Sequence, residues 1–190
     1  MKNIIVSDLI NHLKRVKKHR KLVHKFGKYL GIGKYTLFHD LSSYSKVEMN
    51  EKLCTNFGLS FPHDISDIAT YNLAWINHIS KNKHHLEHWI YINDVGNFPI
   101  ELPFVYAVEF LCDSIASQID THGELFTFND LNNWWKHVII SFPYIHANTY
   151  RFINNFMNFV NDYFSTIPIL QLDKQCWDLI KSRLVAFYKL

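Results

Sequence analysis

Apolar residues recur at three- and four-residue steps near the start of the chain: Leu9, Leu13, Val16, Val23, Phe26 and Leu30, with lysines between them. That period buries one stripe of a helix. It predicts a helix capped by Ser7 or Asp8 and running to about Leu30, where Gly31 and Gly33 end it. A short helical piece over Tyr35 to Phe38 then delivers the adjacent pair His39-Asp40. Leu41 to Ser45 is rich in capping residues and predicts a turn into a helix over Lys46 to Phe57. Gly58 to Asp67, with Pro62, reads as a loop. Ile68 to Ile79 reads as a helix with Tyr71, Trp75 and His78 on one stripe, broken by Lys81-Asn82-Lys83. Asp94 to Pro103 carries Gly96, Pro99 and Pro103 and predicts a loop over the candidate site. Phe104 to Ile119 is a strongly apolar helix on which Glu109 and Asp113, four residues apart, point the same way. Further helices fit Phe128 to Ile140, Thr149 to Phe164 and Asp173 to Tyr188. No run alternates as a strand does. The expectation is an all-α fold, a single compact helical domain over residues 1–190.

Composition agrees with a packed chain. Of 190 residues 48 % are hydrophobic, with 15 Phe, 10 Tyr and 5 Trp, enough apolar area for a full core. No apolar run reaches membrane-spanning length, and no apolar N-terminal segment precedes a cleavage site. The expectation is a soluble cytoplasmic protein, in the host cytoplasm if the chain is phage-encoded, with no membrane partner. Cys54, Cys112 and Cys176 are isolated, which argues against a disulfide framework and against a thiolate zinc site. A formal charge of +3 does not by itself imply a nucleic-acid binder. Lys14, Arg15, Lys17, Lys18, Arg20, Lys21, Lys25 and Lys28 crowd the first helix. They read first as its solvated face, and second as a positive field for a phosphorylated substrate.

The 12 histidines are grouped, and the grouping suggests chemistry. His12, His39, Asp40 and Asp113 follow the order H…HD…D. Imidazole and carboxylate together suit divalent metals of intermediate softness, and a site with open positions activates water. Asp113 stands among Val108, Leu111, Cys112 and Ile115, where a carboxylate is costly to bury without a compensating charge. His12 shares the core stripe with Leu9 and Val16. His19, seven residues on along the same face, is its rival; at about 1.5 Å of rise per residue it lies closer to the turn that returns the chain to His39. His24 is a third candidate. A second cluster, His78, His84, His85 and His88, suits a second metal, a phosphate or a proton donor, with Lys81 and Lys83 adding charge. His63, His122 and His137 read as surface residues; His146 precedes an Asn-Thr turn.

The pattern resembles the HD-domain phosphohydrolase superfamily. More closely, it resembles a phage and bacterial family of unknown function related to HD proteins. The matching residues run from Leu9 to Ile153. They include His12-x-x-x-Val16-x-x-His19-x-x-x-Val23 and His39-Asp40-Leu41-Ser42-Ser43-Tyr44-Ser45 with Glu48. They continue through Ala74-Trp75 to His78, Asn82-Lys83-His84-His85-x-Glu87-x-Trp89, and Leu102-Pro103 with Val108-Glu109-x-x-Cys112-Asp113. Phe126-Thr127-Phe128, Trp134-Trp135 and His146 through Thr149 agree with weaker features of its tail. Ser43 stands where that family usually has a lysine, with Lys46 nearby, and Asn77 where it often has another histidine.

The resemblance implies an HD-type helical domain and metal-dependent hydrolysis of a nucleotide, foremost a (deoxy)nucleoside 5′-monophosphate. It implies one or two divalent ions (Mn, Fe, Co, Ni, Zn or Mg) on His12, His39, Asp40 and Asp113. Asp40, Glu48, His78 and His85 are the expected catalytic residues, with Glu48, His78 or His85 serving as general acid or base or else orienting a ligand. His19, Ser42, Ser43, Lys83 and His84 are the expected substrate contacts. Trp89, Phe98 and Phe104 stack on a base or, more in keeping with their surroundings, pack in the core. The alternative is a non-catalytic module that binds a nucleotide or a protein; nucleic-acid binding through the basic helix is weaker, and a homo-oligomer is compatible with all three.

Overall fold

The apolar stripe at the start of the chain is sealed inside: Val23, Phe26 and Leu30 belong to the core of the computed structural model. The structure describes residues 6–49 and 65–189. Helix α1 (Val6–Tyr29) is already under way at Val6, so Ser7 and Asp8 fall in its first turn instead of capping it. Gly31, at φ 87°, ends it in the left-handed conformation that glycine adopts without cost. Helix α2 (Gly33–Thr36) begins two residues before the expected piece and folds back on α1. Gly27 permits that approach, because a Cβ there would collide with the Thr36 side chain.

A 3₁₀ turn (Leu41–Tyr44) follows His39-Asp40. Residues 46–49 form a turn, and the rest of the helix expected over Lys46 to Phe57 lies outside the described residues. Helix α3 (Ile65–Lys81) starts three residues earlier than its apolar stripe suggested and takes the end of the expected loop. After a second 3₁₀ turn (Leu86–Trp89), the chain departs from an all-helical plan. Strands β1 (Ile90–Asn93) and β2 (Gly96–Pro99) pair antiparallel, Ile90 opposite Pro99 and Asn93 opposite Gly96. Asn93 Oδ1 accepts from the backbone N–H of Val95 at 2.9 Å and of Gly96 at 3.2 Å, which closes the hairpin. The expected loop over the site is therefore largely this hairpin. Its strands are four residues long and exposed on both faces, and alternation marks a strand only where one face is buried.

Helix α4 (Phe104–His122) is the central element, with Ala107, Val108, Leu111, Cys112, Ile115 and Ala116 fully buried. Its start is pinned from two sides. Leu102 N–H donates to Thr149 Oγ1 at 2.9 Å, and Tyr188 O–H donates to Leu102 O at 2.8 Å. Helix α5 (Phe128–Ser141) opens on a capping box between Thr127 and Asp130. Helix α6 (Ala147–Phe164) is capped by His146, whose Nδ1 accepts from Asn148 N–H. The 3₁₀ turn Ile169–Gln171 leads to α7 (Lys174–Lys189). Phe26, Phe128, Phe156 and Trp177 interlock edge-on and tilted where α1, α5, α6 and α7 meet. The result is a compact, mostly helical fold. No helix among the described residues is long and apolar enough to cross a membrane.

Gly27→Ala tests the α1–α2 contact. It is expected to destabilise by about 1–3 kcal/mol through overpacking and to lower Tm in a thermal melt. In a Thr36→Ala background the same change costs less, because two of the three colliding atoms, Oγ1 and Cγ2, are gone. Additive costs in that double-mutant cycle would contradict the contact.

Candidate metal centre

Four segments converge on one buried spot. Helix α1 supplies His19, the turn after α2 supplies His39 and Asp40, and α4 supplies Glu109 and Asp113. The end of α3 and the link beyond it supply His78, His84 and His85. Asp40 sits at φ 49°, ψ 33°, and among the described residues it alone, glycines aside, has positive φ. Aspartate tolerates this region better than most residues, but the conformation still needs outside support. Arg20 provides it. Its Nε donates to His39 O at 2.6 Å and its Nη2 to Leu37 O at 3.1 Å, while the guanidinium lies over the Tyr44 ring.

Three histidines share one arrangement. Nδ1 of His19 lies 3.4 Å from Asp120 Oδ2, Nδ1 of His39 3.0 Å from Glu109 Oε1, and Nδ1 of His78 2.8 Å from Glu48 Oε2. A carboxylate accepts the Nδ1 proton and leaves Nε2 to face inward, as in the carboxylate–histidine pairs that hold metal ligands. The Nε2 atoms do face inward. His19 Nε2 is 2.9 Å from Asp113 Oδ1, and His39 Nε2 is 3.4 Å from Asp40 Oδ2 and 3.5 Å from Asp113 Oδ1. His78 Nε2 lies 3.5 Å from Asp40 Oδ1, and His84 Nε2 3.7 Å from the same oxygen. Two four-residue groups result, His19 with His39, Asp40 and Asp113, and Asp40 with His78, His84 and His85. Asp40 belongs to both and turns one oxygen toward each.

These groups can hold a metal ion. Asp40 Oδ1, His84 Nε2 and His85 Nε2 are buried without a hydrogen-bond partner. Buried polar atoms are nearly always satisfied, and lone pairs aimed at a common point are satisfied by a cation. The charges lean the same way. Burial opposes a charged His39, yet Asp40, Asp113 and Glu109 outweigh it and raise its pKa to about 10. Burial likewise opposes a charged His19, and Asp113 and Asp120 raise it to about 9. Burial would raise Asp40, but the surrounding histidines hold it down at about 2. Burial pushes His85 down to about 4 and His84 well below the ordinary histidine value.

His39, Asp40 and Asp113 come together as the sequence suggested, but His12 does not join them. It is buried against the Ser43 backbone and near Glu48. His19, roughly 10 Å further along the helix, stands beside His39 instead, because the chain returns from α2 level with the later histidine. His19, expected as a substrate contact, thus stands among the residues that could hold a metal. His24 Nδ1 lies 3.3 Å from Thr36 Oγ1, away from the centre.

His78, His84 and His85 lie at the centre; His88 faces away, its Nδ1 2.8 Å from Ile79 O. Glu48 points at His78 Nδ1 and receives Asn77 Nδ2 at 2.6 Å, which suits the orienting role expected for it beside the acid–base one. Ser42 Oγ accepts from Asn82 Nδ2 at 2.6 Å and lies 3.4 Å from His78 Nδ1, which makes it part of the same brace. Ser43, also an expected substrate contact, is buried, with its backbone beside His12. Lys83 is drawn outward, with its backbone carbonyl bound by Trp89 Nε1 at 2.7 Å and its ammonium 5.8 Å from the Tyr106 ring centre. Phe104 packs on Phe152 and Tyr188, and Phe98 lies on the exposed hairpin. The roles of Glu109, Asp120 and Arg20 were not read from the sequence. Glu109 and Asp120 share the face of α4 that carries Asp113, at spacings of four and seven residues, and that spacing was the available signal.

The model of a family of unknown function, DUF5662, matches residues 8–161, and the chain belongs to that family. No curated protein and no solved structure matches it.

Elemental analysis is expected to find metal in His12→Asn protein and to find it lost in His19→Ala. Asp120→Asn should weaken metal binding roughly 10- to 100-fold, the usual effect of removing a carboxylate behind a ligating histidine. A pH dependence follows as well. The folded-state values of His19 and His39, about 9 and about 10, lie above the ordinary 6.5. Their contribution to stability is complete below that value and is lost as pH rises through 9 and 10. Protein stripped of metal should therefore melt at lower temperature across that window. Metal binding near neutral pH should release both protons, read by calorimetry in buffers of different ionisation enthalpy.

Proposed function

We propose that the chain is a metal-dependent phosphohydrolase acting on a phosphorylated small molecule of the nucleotide class. The observation that carries this reading is the convergence of carboxylate-backed histidines on Asp40 and Asp113. The H…HD…D order and its resemblance to HD-domain phosphohydrolases support it as analogy. His19, His39, Asp40 and Asp113 would hold one divalent ion of the Mn, Fe, Co, Ni, Zn or Mg class, and His78 and His84 with Asp40 a second. An ion so held supplies a Lewis acid and a water of lowered pKa.

The protein's own groups do the rest. Glu109, Asp120 and Glu48 hold the Nδ1 protons and keep the three rings in place. Arg20 fixes the turn that presents Asp40. Asp40 orients the attacking water. His85, neutral and with Nε2 unpaired, receives the proton from that water and returns it to the leaving oxygen as the ester P–O bond breaks and the new P–O bond forms. The reading of a non-catalytic nucleotide-binding module draws on one observation: Ser43, where the resemblance leads one to expect a lysine, is buried and uncharged.

The test is a phosphatase screen over nucleoside mono-, di- and triphosphates and cyclic dinucleotides with several divalent metals. Turnover is expected to need metal and to vanish in Asp113→Ala together with the metal. His85→Ala should keep its metal and lose turnover by roughly 10²–10⁴-fold. Normal metal content and activity in Asp113→Ala would sink the reading; tight nucleotide binding with no turnover would replace it with the binding module.

A further inference from the structure

Asp113 and His85 line a cleft of about 250 Å³ that runs between α4, α5 and the 3₁₀ turn after His85. Its α4 side is built from Phe110, Asp113, Ser114 and Ser117, spaced three, one and three residues apart, which is a single helical face. From α5 comes Trp134, half-buried, its ring centre 6.5 Å from that of Phe110 and the planes 31° apart. Glu87 stands on the remaining side. Among the described residues the lining holds two carboxylates, two hydroxyls and aromatic rings, and no lysine or arginine.

We propose that this cleft seats the organic half of the substrate and selects a flat ring that carries hydrogen-bond donors and a single phosphate. The inference rests on the phosphohydrolase reading of the adjoining centre. Each part of the ligand follows from a part of the wall. The phosphate belongs at the Asp113–His85 end, where the ion would neutralise it. A ring finds the Trp134 and Phe110 faces, the wall type on which flat heterocycles stack. Donors such as an exocyclic amine or sugar hydroxyls find the Glu87 carboxylate and the Ser114 and Ser117 hydroxyls. A second or third phosphate would meet Glu87 with no cation lining the cleft, a like-charge contact that disfavours it. The volume lies below the roughly 300–1,000 Å³ usual for drug-sized ligands and fits a small ring-bearing monophosphate.

Binding to protein saturated with Mn²⁺ tests this by calorimetry at fixed ionic strength. The probes are inorganic phosphate, nucleoside triphosphates, and non-cleavable phosphonate analogues of the four common nucleoside 5′-monophosphates. At least one monophosphate analogue should bind tenfold or more tighter than inorganic phosphate, and its triphosphate counterpart tenfold or more weaker than itself. Ser117→Trp fills the cleft and should reduce that analogue to the affinity of inorganic phosphate, with metal content and phosphate affinity unchanged. Trp134→Leu, at a half-exposed position that tolerates change, should weaken the analogue about fivefold or more while sparing phosphate. Analogues that bind no tighter than inorganic phosphate, triphosphates that bind best, or affinities untouched by both variants would overturn the inference. The two readings fail separately. Cleft-dependent binding without turnover of any phosphate ester overturns the hydrolase and keeps the cleft, whereas turnover indifferent to both variants keeps the hydrolase and overturns the cleft.

Discussion

Two carboxylates, the buried Asp40 and the partly buried Asp113, lie within 3.5 Å of the same imidazole nitrogen, His39 Nε2. Like charges this close in a low-dielectric interior repel strongly unless positive charge lies between them. Much of the architecture answers that demand. Helix α4 is buried along most of its length, and α1 packs against it with His19 and Lys18 facing Asp113 and Asp120. Each histidine that answers a central carboxylate is held by another carboxylate behind it, so orientation and charge come from the same contacts. The histidine link after α3 completes the enclosure from the other side.

The backbone has been bent to the same end. Asp40 would be easier to place in an ordinary turn, but here it is left-handed, with one oxygen 3.4 Å from His39 Nε2 and the other 3.5 Å from His78 Nε2. Arg20 holds that turn by its carbonyls. An arginine suits this place because its planar fork can grip two carbonyl oxygens at once. On the other flank Ser42, Asn82, Glu48 and Asn77 form a connected polar brace around His78. A brace of this kind rigidifies only when its members are satisfied, and the hydrogen bonds among these four satisfy much of it.

Helices with one buried stripe were legible in the sequence, and so was the pairing of His39-Asp40 with an acid inside an apolar helix. What stayed hidden depends on the third dimension. His12 and His19 lie on one face of one helix, and periodicity cannot say which is level with His39; the return of the chain through α2 decides it. Arg20 sits in a run of lysines and reads as one more solvated charge, since nothing local distinguishes a side chain that folds back onto a turn. Asp120 looks like a surface acid because its partner His19 is distant in sequence. The hairpin escaped for the opposite reason: with both faces exposed it has no apolar alternation to see.

Protons and a cation are two ways to neutralise this cluster, and the site distinguishes between them. His19 and His39 hold protons readily, because carboxylates stand at both of their nitrogens. Protonation relieves those two rings but leaves Asp40 Oδ1 and His84 Nε2 unanswered. Adding a proton to His84 or His85 sets it against the charge on neighbouring rings, His39 for the first and His78 for the second, on top of the cost of burial. A divalent ion in the first group, with a second beside Asp40 Oδ1 and His84 Nε2, would meet that demand. It brings the two charges that His19 and His39 would otherwise carry as protons, and it uses lone pairs instead of adding hydrogens. The inward Nε2 atoms and the two-sided Asp40 form a coherent design when they face a metal, and a costly one when they do not.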